Sequence, residues 1–211
     1  MEVGAITAQE QPGNPKPRLY RLLEDDALIN RLGFNNEGAE ALAIKLDRLR
    51  ARGGRPKIPL GMNIGRTKSV ETKDAVGDFL ACFEMLFPHG DFFTLNVSSP
   101  NTPNLRDLQE KSLLRELLLA VQEKNRQLSA RANVELKPVF VKIAPDLEYA
   151  QVDEIIEVVE QVRLTGLVAT NATAFMREGL KSPNGPEPGG LSGRPITAMV
   201  TKFISHIYQT T

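Results

Sequence analysis

"FFTLNVSSPNTPNLRDLQ", residues 92–109, decides the architecture of this 211-residue chain. Phe92 to Val97 form the apolar run of a short buried strand, and a helical pattern follows over about 107 to 129, with Leu114, Leu117, Leu118 and Val121 on one side. Between strand and helix stand two serines, two asparagines and two prolines. The amide of Asn96, at the strand's end, donates and accepts at once, which suits a planar heterocycle edged with carbonyl and N–H groups. Pro100 and Pro103 stiffen the loop, so Ser98, Ser99 and Asn101 are presented with little freedom left to lose on binding. The stretch reads as one βα unit with chemistry at the carboxyl end of its strand.

The same unit recurs on both sides. Strand-like runs lie at 2–7, 58–65, 92–97, 138–144 and 166–170, and they are too apolar for a sheet with one wet face, as parallel strands covered on both sides would be. Helical patterns lie at about 36–52, 71–87, 107–129, 148–163 and 195–209. All 14 prolines fall outside helix interiors or in a first turn, as Pro195 does. Five strands alternating with five helices predict an α/β fold with a parallel sheet, either doubly wound or part of a (β/α)8 TIM-type barrel. Two observations favour the barrel. No strand–helix junction carries a nucleotide-type glycine fingerprint, "NIGRTK" holding a single glycine. Strand after strand ends in a polar side chain: Thr7, Asn63, Asn96 with Ser98 and Ser99, Lys142, and Thr170 with Asn171. Such residues singly are turn and cap formers, but in series they mark the catalytic mouth of a barrel. A complete barrel takes about 250 residues and eight units, so five consecutive units predict an incomplete one.

Composition narrows the function classes. Lys plus Arg and Asp plus Glu balance at 26 each, which gives no electrostatic reason to expect nucleic acid or an anionic surface as partner. The one cysteine, Cys82, lies on the apolar side of the helix at 71–87 and reads as core filler, and neither histidine has a second ligand at metal spacing, so no metal site is expected. No apolar run reaches the roughly 18 residues of a membrane span, so the chain as given is expected to be soluble.

Three further stretches carry chemistry. In "INRLGFNN" (29–36), read as lying between a turn and the first helix, Gly33 lets the backbone pass close to a ligand and Phe34 can wall it in, while Asn30, Asn35 and Asn36 serve either a ligand or the loop and helix cap. Lys142, between Val141 and Ile143, needs an anion or dipole to answer its charge unless it snorkels to solvent. The connection at 171–195 is long for a βα loop and reads as a lid, and its "GGLSGRP" end reads as a helix start whose free N–H groups could hold an anion.

Taken together, "EVGAITAQEQPGNPKPRLYRL", "INRLGFNN", "LGMNIGRTK", "LNVSSPNTPNLRDLQ", "VKIAPDL", "ATNAT" and "GGLSGRP" resemble, in order and spacing, the dihydroorotate dehydrogenase family in its quinone-dependent class 2 form, across essentially the whole chain. The resemblance implies an FMN-dependent (β/α)8 barrel that oxidises dihydroorotate to orotate in pyrimidine synthesis, with residues 1–211 as one partial FMN-binding domain. It makes Ser99 the catalytic base that removes a proton from C5 of the substrate while a hydride passes from C6 to flavin N5. The related soluble class has a cysteine in that place. It assigns Asn63, Asn96, Lys142, Thr170 and Gly193 to FMN, and Asn30, Arg31, Leu32, Gly33, Phe34, Asn96, Asn101 and Asn171 to the substrate. Two positions depart from the pattern: Ala5 and Ala172 stand where relatives usually carry threonine, which removes two hydroxyls. The resemblance also implies segments not found here: N-terminal helices that form a quinone tunnel and rest on the inner face of the cytoplasmic membrane, or on the mitochondrial inner membrane in a eukaryote, a first strand with an "AAGxDK" type of motif, and late glycine-rich strands that grip the FMN phosphate. A catalytically inactive barrel fragment and a related flavin barrel acting on another dihydropyrimidine are the alternative expectations.

Overall fold

The computed structural model describes residues 1–54 and 56–211. In chain order its elements are β1 (Glu2–Ile6), β2 (Leu19–Leu22), β3 (Ala27–Asn30), α1 (Gly38–Ala51), β4 (Gly61–Ile64), α2 (Ala75–Leu86), β5 (Phe92–Asn96), α3 (Lys111–Ala132), β6 (Val139–Ile143), α4 (Tyr149–Gln161), β7 (Gly166–Ala169), β8 (Gly190–Gly193) and α5 (Thr197–Thr210). The five predicted strands pair in parallel in the order β1-β4-β5-β6-β7, each beside the next unit's strand. This is an open segment of a barrel wall, as five units predict.

Alternation along the strands sorts the two faces. Met62, Ile64, Phe93, Leu95, Val139, Val141 and Ile143 are buried and pack against the helices, together with Phe79, Phe83, Leu114, Leu117 and Ile155. Phe83 lies 4.3 Å from Phe93, centroid to centroid, so α2 and β5 share an aromatic seam. The alternate residues, registered as Asn63 with Thr94 and Asn96 with Lys142, form the opposite face. Burial by the helices thus spends one side chain in two on the core and leaves the other for chemistry.

The third helix begins later than the pattern at 107 suggests. Leu105–Gln109 form a 3-10 turn, and α3 starts after Glu110, whose carboxylate accepts from the N–H groups of Ser112 (3.2 Å) and Leu113 (3.3 Å). A larger difference is a second, antiparallel sheet, β2-β3-β8, built from the β1–α1 and β7–α5 connections. It overturns two expectations. Ile29 and Asn30 lie in a strand rather than after a turn, and Gly190–Gly193 is a strand rather than a loop of free N–H groups, although Gly193 does cap the 3-10 turn Arg194–Ile196 that leads into α5. Leu191 N donates to Thr173 O at 2.8 Å and Arg194 N to Asp26 O at 3.1 Å, so these donors serve the fold. The glycines answer to the pairing itself: a Cβ at Gly189 (φ +140°) would sit 2.4 Å from Asn30 O, and one at Gly193 (φ +103°) 2.5 Å from Asp26 O.

The long connection is tied down to this sheet. Asp25 accepts from Lys181 N (2.9 Å) and Ser182 N (3.0 Å), and Arg31 pairs with Glu187 at 2.8 Å.

Candidate active site

A carboxylate at the start of β1 organises the inner face. Glu2 accepts from Asn63 Nδ2 at 2.8 Å and from Thr94 Oγ1 at 2.7 Å. A carboxylate can only accept, so Asn63 must turn its amide nitrogen to Glu2 and its oxygen onward. That oxygen accepts from Asn96 Nδ2 at 3.2 Å, and Asn96 Oδ1 in turn accepts from Asn171 Nδ2 at 3.2 Å. Asn171 also donates to Ser98 Oγ at 3.0 Å. Three asparagines from the ends of β4, β5 and β7 therefore form one directional row.

A second group comes from the loops above. Ser99, buried, accepts at Oγ from Asn101 N at 3.3 Å, and among the described residues no side chain accepts its hydroxyl hydrogen. Asn101 Nδ2 donates to Asn30 O at 3.0 Å and Oδ1 at 3.3 Å. Asn30 then joins Lys142, Thr170, Asn171, Ser192 and Gly193 in lining a cavity of about 510 Å³. The half-buried Lys142 ammonium has no hydrogen bond or ion pair among the described residues. An ammonium without a counter-ion beside amides that both donate and accept is a donor set that fits a flavin ring and a pyrimidine.

Of the residues expected at the site, Ser99, Asn101 and Asn30 are joined by hydrogen bonds, Asn63, Asn96 and Asn171 likewise, and Lys142, Thr170 and Gly193 meet Asn30 and Asn171 at the cavity. The neighbours of Asn30 lie differently. The Arg31 guanidinium bonds Tyr20 and Glu187, Leu32 is exposed, the Gly33 carbonyl accepts from Gln11 Nε2 at 2.9 Å, and the Phe34 ring lies over Gly65. The Glu187 carboxyl is held below its ordinary range by its bond to Arg31. Asn36 accepts from Gly38 N at 2.9 Å, the first N–H of α1, and so serves the start of the helix, although Glu37 holds the cap position. Burial pushes the Cys82 thiol far above its ordinary range, in keeping with its expected role as core filler.

Sequence reading missed Glu2, Thr94, Arg106 and Asp146. Arg106 donates to Ser98 O at 3.1 Å, to Asp146 Oδ2 at 2.8 Å and to Ala172 O at 3.2 Å. The available signal was period two: Glu2 and Thr94 are polar residues within apolar runs.

The family model for dihydroorotate dehydrogenase matches residues 1–211. The chain belongs to the dihydroorotate dehydrogenase family. Two similar relatives, both named dihydroorotate dehydrogenase (quinone), come from Christiangramia forsetii, 48% identical over 204 residues, and Thermus thermophilus, 47% identical over 206 residues. Those alignments cover 97% and 98% of this chain and 56% of each relative. The crystal structure of an Eimeria tenella dihydroorotate dehydrogenase in complex with ferulenol superposes with a TM-score of 0.90 at 38% identity, covering 100% of this chain and 60% of that one. This member of the family thus spans little more than half the length of the curated relatives it matches. Its open sheet is part of the barrel that the class 2 resemblance led us to expect.

Proposed function

We propose that this chain carries the base and most of the pyrimidine pocket of an FMN-dependent enzyme that oxidises dihydroorotate to orotate in pyrimidine biosynthesis, with a quinone as the final acceptor. Residues 1–211 are then one partial FMN-binding barrel domain. One observation carries the reading: two hydrogen-bonded groups, Ser99–Asn101–Asn30 and Asn63–Asn96–Asn171, each send one member, Asn30 and Asn171, to a single cavity in which the Lys142 ammonium has no partner among the described residues.

Bound FMN supplies the two-electron acceptor. The rest falls to this chain. Ser99 takes the proton from C5 of dihydroorotate; because a serine hydroxyl is a weak base, an acceptor behind it, water included, completes the transfer. Asn30, Asn96, Asn101 and Asn171 offer the alternating donors and acceptors that a carbonyl- and N–H-edged ring requires. Lys142 faces the negative charge that accumulates as electrons leave the substrate. Asn63, Thr170 and Gly193 complete the flavin contacts, and the segment Arg31 to Phe34 closes the substrate side. Among the described residues no helix is long and apolar enough to cross a membrane. Contact with a bilayer, at the cytoplasmic or mitochondrial inner membrane, belongs in this reading to parts of the relatives that this chain does not span.

The test is single-turnover bleaching of the flavin by dihydroorotate in the full-length protein that carries this segment. Ser99→Ala is expected to slow bleaching by about 10²–10⁴-fold while flavin content is retained. A variant that bleaches at the wild-type rate overturns the role of Ser99. Faster bleaching by dihydrouracil than by dihydroorotate overturns the substrate.

A further inference from the structure

We propose that Arg106, held by Asp146, is a positioning residue that sets the separation between Ser99 and Asn171 for the reaction; this rests on the roles given to those two residues above. The guanidinium touches neither side chain. It donates through Nε to Ser98 O at 3.1 Å and through Nη2 to Ala172 O at 3.2 Å. Ser98 precedes the base, and Ala172 follows the asparagine assigned to the substrate. One planar group thus grips the peptide beside each of the two reacting partners' holders, across strands β5 and β7 that do not pair with each other.

Asp146 supplies the anchor from the strand between them. It follows β6, and its side chain is 7% exposed. Its Oδ2 accepts from Arg106 Nη1 at 2.8 Å and from Ala174 N at 3.1 Å, and its Oδ1 accepts the Thr173 hydroxyl. Three successive strand ends are therefore locked by one charge-assisted pair, which in this shielded position is stronger than a neutral hydrogen bond.

The clamp matters most when ligand is bound. Among the described residues, only two side chains make hydrogen bonds between the loop after β5 and the segment after β7: Asn171, to Asn96 and Ser98, and Arg106. If Asn171 turns its amide to a pyrimidine, those bonds are given up and the Arg106 bridge remains. The geometry demands arginine, because a lysine ammonium has no rigid fork with which to span two carbonyls and a carboxylate.

The experiment uses the full-length, FMN-loaded protein with Arg106→Lys, Arg106→Ala and Asp146→Asn. Per bound flavin, Arg106→Lys is expected to slow bleaching by dihydroorotate by about 100-fold, the loss associated with a misplacement of roughly 1 Å. Orotate affinity, read from its perturbation of the flavin absorbance, is expected to fall about 10-fold by loss of the same alignment, roughly 1.4 kcal/mol. Added guanidinium at millimolar concentration is expected to restore part of the rate to Arg106→Ala and none to Ser99→Ala. Should Arg106→Ala fail to fold, Arg106→Lys and Asp146→Asn decide the matter. An active wild type with Arg106→Lys at unchanged rate and unchanged orotate affinity overturns the proposal alone. A wild type inert toward dihydroorotate overturns the activity and the proposal with it.

Discussion

Glu2 shows how a single side chain can impose direction on a row of amides. Asn63 and Thr94 are both buried on the inner face and both donate to this carboxylate, at 2.8 and 2.7 Å. Removal of the acceptor strands two buried donors, each at roughly 1–3 kcal/mol. Glu2→Ala is therefore expected to lower stability in urea titrations by more than Glu2→Gln, which keeps one acceptor oxygen, and a Gln variant as unstable as the Ala variant would refute this account. His89 is a second site where burial decides behaviour. Desolvation lowers its imidazole below the ordinary value of 6.5, outweighing the attraction of Asp47, which raises it. The unfolded chain then binds the proton more readily than the folded one. The stability this group contributes is complete above the ordinary value and is lost as pH falls through the lowered folded value. His89→Gln is expected to flatten the slope of stability against pH between roughly pH 7 and 5, and an unchanged slope would exclude His89 as its source.

At the scale of elements, the parallel strands and the small antiparallel sheet follow different rules. Each parallel strand is bound to its neighbours by a helix whose apolar side covers it, so the pattern of both is written locally. The sheet β2-β3-β8 joins a hairpin of two four-residue strands to a third far along the chain, and that third member reads in the sequence as the glycine-rich start of a helix. It positions Asn30 beside Gly190 and anchors the connection between β7 and β8. Asp25 is the tether, since its carboxylate takes both Lys181 N and Ser182 N. Asp25→Ala is expected to raise amide hydrogen exchange at residues 180–184 and leave α2, α3 and α4 unchanged. Exchange that rises everywhere would mean that Asp25 supports the whole fold rather than this segment.

For the molecule as a whole, an open sheet has two edges. Among the described residues β1 pairs with β4 alone and β7 with β6 alone, leaving a row of backbone donors and acceptors on each outer side. Expressed by itself, the 211-residue chain is expected to self-associate, with a light-scattering mass that rises with concentration. A monodisperse monomer across that range would show that the edges are covered.

What the sequence determined by itself is everything written in local period: five strands, five helices, their alternation, and the polar residues that close successive strands. Side-chain alternation and helical spacing are properties of neighbouring residues, and burial merely reads them out. Only the tertiary structure decided the partners. That Glu2 orients Asn63, that Arg106 bridges the flanks of Ser99 and Asn171, and that "GLSG" (190–193) pairs with Ala27–Asn30 all depend on which residues parallel register and sheet pairing bring within roughly 3 Å of one another. Hydrogen bonds between residues far apart in the chain carry no periodic trace, because direction and distance, not residue type alone, make them.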